Sequence, residues 1–221
     1  MQAVIINGSP RAKGITAAIL HQIESELIRN GVETAYYDLN SLQISPCTGC
    51  CSCYKTGHCY MKDDAEILSE QISRCDGLVI GSPTYASNVS GTMKQFIDRG
   101  HFVIEQLLHD KFCITVSTGE NYGYKDTLKI LNRLVLYSGG TLCGSIAVKA
   151  PFKAPSGDMS SVNDEIIRKC SKAVRRMTTG RRRPLQSVTQ KIIFRFGIKP
   201  FVIRKGPAYQ GVTGRWAELK I

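Results

Sequence analysis

The fold is decided by residues 3–16, AVIINGSPRAKGIT, where a short apolar run passes through a polar turn into a helix. Residues 3–6 are all apolar, which is typical of a strand buried on both faces of a parallel sheet. Beyond the turn, apolar residues recur at every fourth position, at Ile15, Ile19, Ile23 and Leu27. This spacing predicts a helix, and Gly31 is the residue type that commonly ends one.

Outward from this unit, the same alternation of strand and helix patterns continues to about residue 178. Strand-like runs lie at 32–37, 77–80, 112–116 and 142–148. Helix patterns follow the strands, marked by Leu68, Ile72 and Cys75; by Met93, Phe96, Ile97, Ile104 and Leu107; by Leu128, Leu131 and Val135; and by Val162, Ile166, Cys170, Ala173 and Met177. Right-handed crossovers then predict an α/β fold with a doubly wound five-stranded parallel sheet of order 2-1-3-4-5. We expect one domain over residues 1–178 and a C-terminal arm over 179–221.

Composition narrows the class of protein. Of the 221 residues, 43% are apolar, so the chain can bury a sizeable core and is not intrinsically disordered. No apolar stretch approaches the ~20 residues of a membrane span, and residues 1–8 lack the basic flank of a signal peptide. Nine cysteines without a secretory signal indicate thiol, metal or redox chemistry in a reducing compartment, so we expect a cytoplasmic protein.

The positive charge is concentrated towards the C-terminal end. Of the 29 Lys and Arg residues, 15 lie in residues 165–221 beside only two acids. Residues 1–164 carry 14 basic and 16 acidic residues. The sequence therefore predicts a near-neutral domain with a basic C-terminal extension.

Ligands of such sheets bind beyond the carboxyl ends of the strands. After the first strand, the turn at residues 7–14 leads through glycines into a helix N-terminus, where backbone N–H groups and the helix dipole attract an anion. Ser9 and Thr16 can donate hydroxyl hydrogen bonds, and Arg11 supplies charge. We therefore favour a phosphate-binding turn, although the pattern matches neither the Walker motif nor the Gly-x-Gly-x-x-Gly motif of nucleotide-binding proteins. The alternative is an ordinary polar turn before a capped helix.

Two further loops end on the same edge of the predicted sheet. Residues 81–91 form a long loop of small and polar residues with one aromatic, which suits contact with a planar ring. Residues 117–123 contain two glycines that let the backbone approach a flat ligand closely. Each loop alone could be a plain connection, but together with the first turn they predict a site for a mononucleotide with a flat ring.

These motifs, GSPR at 8–11 with Gly14 and Thr16, SPTY at 82–85 and STG at 117–119, resemble the flavodoxin-like NAD(P)H-dependent FMN reductase family over residues 1–178. The resemblance implies an oxidoreductase that passes electrons from NAD(P)H through bound FMN to a small-molecule or protein acceptor, as a homodimer or larger assembly. It assigns the FMN phosphate to Ser9, Arg11, Gly14 and Thr16. It assigns the flavin ring to Pro83, Thr84, Tyr85, Asn88, Ser117, Thr118 and Gly119. The flavin itself accepts the hydride, so we name no catalytic side chain.

A cysteine loop is the second informative motif. Residues 47–59, CTGCCSCYKTGHC, hold five cysteines, and Cys47, Cys50, Cys53 and Cys59 are spaced by three, three and six. Four sulfurs on one short loop are more typical of an iron–sulfur cluster than of zinc, which commonly joins two distant cysteine pairs. The spacing resembles the compact motif of iron–sulfur flavoproteins, which implies a [4Fe-4S] cluster near FMN and an electron-carrier function.

Another interpretation of the loop stays open. Clusterless members of the same family carry a similar loop followed by an acidic pair, here Asp63 and Asp64, and in them the loop shapes the flavin pocket. The thiols would then hold no metal, and Cys75, Cys113, Cys143 and Cys170 are most simply core residues.

The resemblance to the FMN reductase family is weakest in the C-terminal arm. Residues 191–205, KIIFRFGIKPFVIRK, interleave aromatic and basic residues, and three arginines lie at 181–183. We favour an arm that packs on its own domain or on a partner subunit. Peripheral contact with an anionic membrane is an alternative, and nucleic acid is less favoured. If the arm bound a membrane or a nucleic acid in this way, the protein would be a basic binding module on a flavodoxin scaffold and not an enzyme. Gly197 and Pro200 predict that the arm is not one continuous helix.

Overall fold

The computed structural model describes residues 1–151 and 163–221 of the chain. Its five strands are β1 (Gln2–Asn7), β2 (Glu33–Asp38), β3 (Gly77–Pro83), β4 (Phe112–Gly119) and β5 (Thr141–Lys149). They form a single sheet of order β2-β1-β3-β4-β5, in which every neighbouring pair is parallel. The predicted fold class and strand order are thereby confirmed.

Helices cover both faces of the sheet. They are α1 (Ile15–Arg29), α2 (Ser52–Thr56), α3 (Asp64–Arg74), α4 (Gly91–Arg99), α5 (Tyr124–Tyr137) and α6 (Asp164–Thr178). The apolar stripes of α1 and α6 bury one face, and those of α3, α4 and α5 bury the other. This two-sided burial explains why β1 and β3 read as nearly continuous apolar runs.

One predicted helix is shorter than its apolar pattern. The stripe from Met93 to Leu107 is helical only to Arg99, because the chain turns at Gly100 and at His101, which has a left-handed φ of 56°. A side chain at Gly100 would clash with the ring of Phe102. The prediction of helix at Ile104 and Leu107 is therefore wrong, although both pack in apolar clusters. The predicted helix residue Val162 lies outside the described residues.

The arm is almost entirely helical. It comprises α7 (Pro184–Ile192), a π-helical segment (Ile193–Ile198), α8 (Lys199–Lys205), a 3-10 turn (Gly206–Tyr209) and α9 (Gln210–Glu218). Helical backbone runs without a break from Pro184 to Lys205, so the prediction that Gly197 and Pro200 interrupt it is wrong. The wider π turns precede Pro200, which falls in the first turn of α8 where its missing N–H costs little.

The arm packs on the sheet domain through an edge strand and a third apolar cluster. The side-chain amide of Gln186 bonds both backbone groups of Leu142 in β5, at 2.9 and 3.3 Å, and so covers the edge of the sheet. Trp216 donates its indole N–H to the carbonyl of Ile104 at 3.0 Å. The division of the chain near residue 179 stays a prediction. None of the described helices is long and apolar enough to cross a membrane.

Candidate functional site

A cleft of about 210 Å³ opens at the carboxyl edge of the sheet, beyond β1, β3 and β4. Its lining includes eight of the predicted site residues: Ser9, Arg11, Gly14, Thr16, Pro83, Tyr85, Thr118 and Gly119. The three loops that the sequence predicted to converge therefore do meet in one cleft. This follows from the parallel sheet, which brings the carboxyl ends of neighbouring strands to the same edge.

The first loop is held by short-range hydrogen bonds. Ser9 N–H donates to Asn7 Oδ1 at 3.0 Å, Arg11 N–H donates to Ser9 Oγ at 3.1 Å, and Gly14 N–H donates to the Arg11 carbonyl at 3.0 Å. These bonds curl the chain directly into α1. Distant elements hold the loop as well, because Gly8 N–H donates to the Gly81 carbonyl at 2.8 Å and the Ser90 hydroxyl donates to the Gly8 carbonyl.

The N-terminus of α1 lacks a side-chain cap. Its N-cap residue is Gly14, and its first turn contains no acidic residue. By contrast, side chains cap α3, α4 and α6, from Asp63, Ser90 and Asn163 respectively. The first-turn N–H groups of α1 therefore have no intrahelical or side-chain acceptor where the helix borders the cleft. Such groups favour an anion, and Arg11 and Lys13 line the same cleft.

A buried pair of hydroxyls joins the first and third loops. Thr16 Oγ1 lies 2.7 Å from Thr118 Oγ1, across 102 positions of sequence, and both residues are buried. The predicted site residues Thr16 and Thr118 thus meet each other as well as the cleft. This pair fixes the helix terminus against the end of β4.

Three predicted ring contacts do not line this cleft. Thr84 donates its hydroxyl to Thr127 Oγ1 at 3.0 Å, and Ser117 donates its hydroxyl to the Tyr124 carbonyl at 2.6 Å. Asn88 pairs its backbone with Tyr85 in an isolated bridge. These side chains shape the second and third loops. Thr84 also borders an adjoining depression of about 180 Å³ that shares Gly119 with the cleft.

The second loop is tightly turned. Between Tyr85 and Asn88, both Ala86 and Ser87 have left-handed backbones, with φ of 49° and 59°. Two such residues form the kind of two-residue turn that closes a hairpin. Ser87 approaches Gly123 so closely that a side chain at Gly123 would meet its Oγ at 2.5 Å. The loops after β3 and β4 are therefore packed against each other at the mouth of the site.

The cysteine loop lies outside this cleft. All five of its cysteines are free thiols; Cys47, Cys50 and Cys51 are exposed, while Cys53 and Cys59 are half-buried. Cys53 lies on the short helix α2, between the left-handed residues Cys51 and Gly57. Burial raises the pKa of the Cys53 thiol to about 12, and the charges of Glu105, Cys59 and Cys47 add to this rise. Cys53 is therefore not poised as a free thiolate nucleophile.

Comparisons with known proteins decide the family. A model of the family described as NADPH-dependent FMN reductase matches residues 1–153. The chain belongs to the NADPH-dependent FMN reductase family. It is accordingly a flavin-dependent oxidoreductase, and the predicted resemblance is confirmed.

Individual relatives of this FMN reductase-family chain are also flavoproteins by name. An iron–sulfur flavoprotein of Clostridioides difficile strain 630 is 34% identical over 226 residues, covering 100% of both chains. An iron–sulfur flavoprotein of Methanocaldococcus jannaschii is 29% identical and covers 75% of this chain and 89% of its own. Among solved structures, the apo form of an NADH:FMN oxidoreductase, EMOB, has a TM-score of 0.59 at 15% identity, covering 84% of this chain and 93% of its own. This last likeness concerns the fold alone.

In this FMN reductase-family chain, a buried arginine closes the base of the cysteine loop. Arg99, at the end of α4, donates to both carboxylate oxygens of Asp63, at 2.8 and 2.9 Å. It also donates to the carbonyls of Ser45 at 2.9 Å and Met61 at 3.3 Å. One guanidinium thus joins the segments before and after the five cysteines. Although burial lowers the pKa of Arg99, its hydrogen bond to Asp63 and the neighbouring Cys59 outweigh that effect and raise it.

A second buried cation lies beside Cys53. The Nδ1 of His101 lies 2.8 Å from Glu105 Oε1, and its Nε2 lies 2.9 Å from Glu66 Oε2. Burial lowers the pKa of His101, but the hydrogen bonds to the two carboxylates outweigh burial and raise it to about 9. The ligating atoms of Cys53, His101 and Glu105 lie within 4.8 Å of one another. Because carboxylates hold both ring nitrogens, His101 is engaged in ion pairs.

The arm covers α2 from outside. The ring of Tyr209 stacks on that of Tyr54 with centroids 4.7 Å apart. Gly211 lies against Gly57 so closely that a Cβ on Gly211 would come within 2.2 Å of the Gly57 nitrogen. The C-terminal arm is therefore packed against the cysteine loop.

Sequence reasoning missed several residues around these two regions. Lys13, Ile15, Ala150 and Pro151 also line the cleft. The last two follow β5, so the same rule about carboxyl ends could have found them. Arg99, His101 and Tyr209 carry no sequence signal for the cysteine loop, because only folding brings them to it.

Proposed function

We propose that the cleft at the carboxyl edge of the sheet binds FMN, with the phosphate at the N-terminus of α1. The single observation that carries this proposal is the uncapped first turn of α1, which borders the cleft beside Arg11 and Lys13. An anion there would accept hydrogen bonds from otherwise unpaired N–H groups and interact with two cations. A phosphate group matches this chemistry.

The remaining lining suits the rest of a flavin. Pro83 and Tyr85 come from the second loop, and Thr118 and Gly119 from the third. Among the described residues that line the cleft, none is Asp, Glu, His or Cys. Bound FMN would supply the group that accepts hydride from NAD(P)H. The chain's own residues would bind the phosphate, orient the ring and exclude water.

FMN titration of the apoprotein tests this site. Arg11→Ala should raise the dissociation constant for FMN about tenfold, because a tenfold change corresponds to ~1.4 kcal/mol, roughly the worth of one charge-assisted hydrogen bond. Arg29→Ala is the matched control, since Arg29 is an exposed cation at the other end of α1, paired with Glu26. Equal affinities of the two variants, or wild-type protein that is colourless and takes up no FMN, would contradict the proposal.

We further propose that the cysteine loop holds a [4Fe-4S] cluster, making the protein an electron carrier that links hydride chemistry to one-electron acceptors. The donor set fits in kind: four free thiols lie on one loop, and Arg99 closes that loop at its base. Cys47, Cys50, Cys53 and Cys59 would ligate the cluster. The names of the relatives from C. difficile and M. jannaschii support the same proposal.

Iron and sulfide analysis of anaerobically purified protein tests the cluster. We expect about four iron and four sulfide per chain, and loss of iron in Cys53→Ala. Cys51→Ala is the control, because Cys51 lies on the same loop but outside the predicted ligand set. Iron-free wild-type protein, or equal iron loss in both variants, would contradict this ligand assignment without touching the FMN proposal. A homodimeric or larger assembly, the choice of electron acceptor and a cytoplasmic location stay predictions.

A further inference from the structure

One side of the arm helix carries a row of apolar side chains that the protein itself does not cover. We call this row the outer face; its members are Leu185, Val188, Ile192, Phe196 and Ile203. Leu185 is 85% exposed and Phe196 is 73% exposed, and the other three are more than half exposed. Their spacing of three, four, four and seven places them on one side of the continuous helix from Pro184 to Lys205.

The opposite side of the same helix already makes the contacts that hold the arm in place. Gln186 bonds the backbone of Leu142, and Gln190 donates to the carbonyl of Gly140. Farther along, Phe194, Ile198 and Val202 belong to or pack against the third apolar cluster. The outer face is therefore not needed to attach the arm. Five large apolar groups in a row on one exposed helix are more than scattered surface residues would give.

The outer face is surrounded by positive charge. The cations of this helix are Lys191, Arg195, Lys199, Arg204 and Lys205, and residues 184–205 contain no acid. The arginines at 181–183 come directly before it. In the part of the chain that the structure describes, one ion pair joins the arm to the sheet domain, between Arg182 and Asp110 at 2.8 Å. Lys199 and Lys205 instead lie over the rings of Phe194 and Phe201.

We propose that the outer face binds to the surface of an anionic lipid bilayer. The arm helix would then lie parallel to the plane of the membrane. A helix of 22 residues spans about 30 Å and can lay one apolar side at the level of the headgroups. Phe196 lies near the middle of the row, and the flanking cations would meet lipid phosphates. This proposal does not rest on the flavin or the cluster, because it uses none of their residues.

The charge of the arm helix favours a lipid bilayer over two other partners, a second copy of this chain and a nucleic acid. If two copies of the chain paired through this face, five cations of one helix would meet five of the other without an acid from either helix between them. A nucleic acid would satisfy the cations but would leave the apolar row without a matching surface, because such interfaces are polar. An anionic bilayer satisfies both features at once.

Vesicle co-sedimentation of the full-length, flavin-loaded protein tests the proposal. We expect binding to vesicles of 30% phosphatidylglycerol in phosphatidylcholine that is at least tenfold tighter than binding to pure phosphatidylcholine. Raising the salt from 0.1 to 0.5 M should weaken it several-fold, because mobile ions screen the attraction. Equal binding to both vesicle types, or no binding to either, would overturn the proposal.

Single substitutions distinguish binding through the outer face from non-specific hydrophobic binding. Phe196→Ser should lower the affinity for anionic vesicles at least tenfold, and Arg195→Gln should lower it several-fold and reduce its salt dependence. Ile67→Ser is the matched control, since Ile67 is 59% exposed on α3 and should leave vesicle binding unchanged. Flavin absorbance and circular dichroism show that each variant is folded. Unchanged binding by Phe196→Ser would overturn the proposal.

Two further measurements test the rival partners. Light scattering of wild-type protein and Phe196→Ser should give the same mass, and a smaller assembly in the variant would assign this face to contact between copies instead. A 30-base-pair DNA should not bind more tightly than anionic vesicles. Tight DNA binding that Arg195→Gln weakens and Phe196→Ser does not would likewise overturn the lipid assignment.

Discussion

The cleft at the sheet edge and the cysteine loop differ in how much short-range hydrogen bonding holds them. In the cleft, the turn before α1 is built by hydrogen bonds between residues two or three positions apart. The cysteine loop is instead closed by Arg99, which is 36 positions from Asp63 and 54 from Ser45, and it is covered by Tyr209 and Gly211 of the arm. The turn before α1 is therefore partly a local structure, although Gly8 is also bonded to Gly81 and Ser90, whereas the closure and the cover of the cysteine loop come from other elements of the fold.

The largest effect should come from removing the arginine that closes the loop. Arg99→Met removes a fully buried guanidinium and leaves the half-buried Asp63 carboxylate without its cation, so the free energy of unfolding should fall by about 3–5 kcal/mol. Hydrogen exchange should accelerate most between residues 45 and 63. Urea unfolding and exchange measurements check both expectations.

Lys94→Met is the control for that substitution, because Lys94 forms an exposed ion pair with Asp98 on the same helix. Such a pair contributes at most about 1 kcal/mol. If the two variants lost equal stability, the cysteine loop would not depend on Arg99, and the contrast with the cleft would fail.

A smaller effect should come from the contact between the arm and α2. Gly211→Ala places a methyl group against the Gly57 backbone, so unfolding should become easier by about 1–3 kcal/mol. Gly214→Ala lies on the same helix, and its methyl group would meet no neighbour. Helix propensity alone predicts that both changes stabilise α9. Opposite signs in thermal unfolding would thus confirm the arm contact, and a gain in both would contradict it.

The hydroxyl pair that joins the cleft loops should matter less. Thr16→Val leaves the Thr118 hydroxyl without its partner, which should cost about 1 kcal/mol of stability and weaken FMN binding only a few-fold. Thr179→Val serves as the control, because Thr179 is exposed at the C-cap of α6. Calorimetry and FMN titration measure the two effects. A loss as large as that of Arg99→Met would show that the cleft depends on long-range contacts as strongly as the cysteine loop does.

The pH dependence that Asp63 gives to the loop should be confined to acid. Burial raises the pKa of Asp63, but hydrogen bonds from Arg99 and from the Ser45 and Ala65 N–H groups outweigh burial, so the pKa lies below its usual 3.8. The stability that this carboxylate contributes is present above pH 3.8 and is lost as pH falls through the lowered value. The difference in unfolding free energy between wild type and Asp63→Asn should be constant from pH 7 to 5 and shrink below 3.8. A difference that changes near neutrality would contradict this.

The sequence predicted the sheet and the cleft well, for a local reason. Apolar runs and helix stripes report which side of each element is buried, and the parallel topology then carries the loops after β1, β3 and β4 to one edge. Of the predicted ring contacts, Thr84 and Ser117 donate to Thr127 and Tyr124 of α5, and Asn88 Oδ1 accepts from Val89 N–H, so their contact with the ring stays a prediction. Sequence order places a residue at the edge of a sheet, but the direction of its side chain depends on neighbours from other elements.

In the arm, sequence-based prediction fails because tertiary packing outweighs local helix propensity. Gly197 and Pro200 weigh against a continuous helix by local propensity, but packing of Phe194, Ile198 and Val202 on the sheet domain outweighs that preference. The helix that was predicted to reach Leu107 ends at Arg99 because Phe102 folds back against Phe96, with ring centroids 5.5 Å apart. In both places tertiary contacts changed what local preference predicts.

By itself, the sequence determined the strand order, the loop that enters α1 and the group of cysteines, because periodicity and spacing are properties of neighbouring residues. Only the tertiary structure decided that Arg99 closes the cysteine loop, that Gly211 packs on Gly57, and that the row from Leu185 to Ile203 faces outward. These arrangements join residues far apart in the chain. Their energies come from burial and charge pairing, which exist only after the chain has folded.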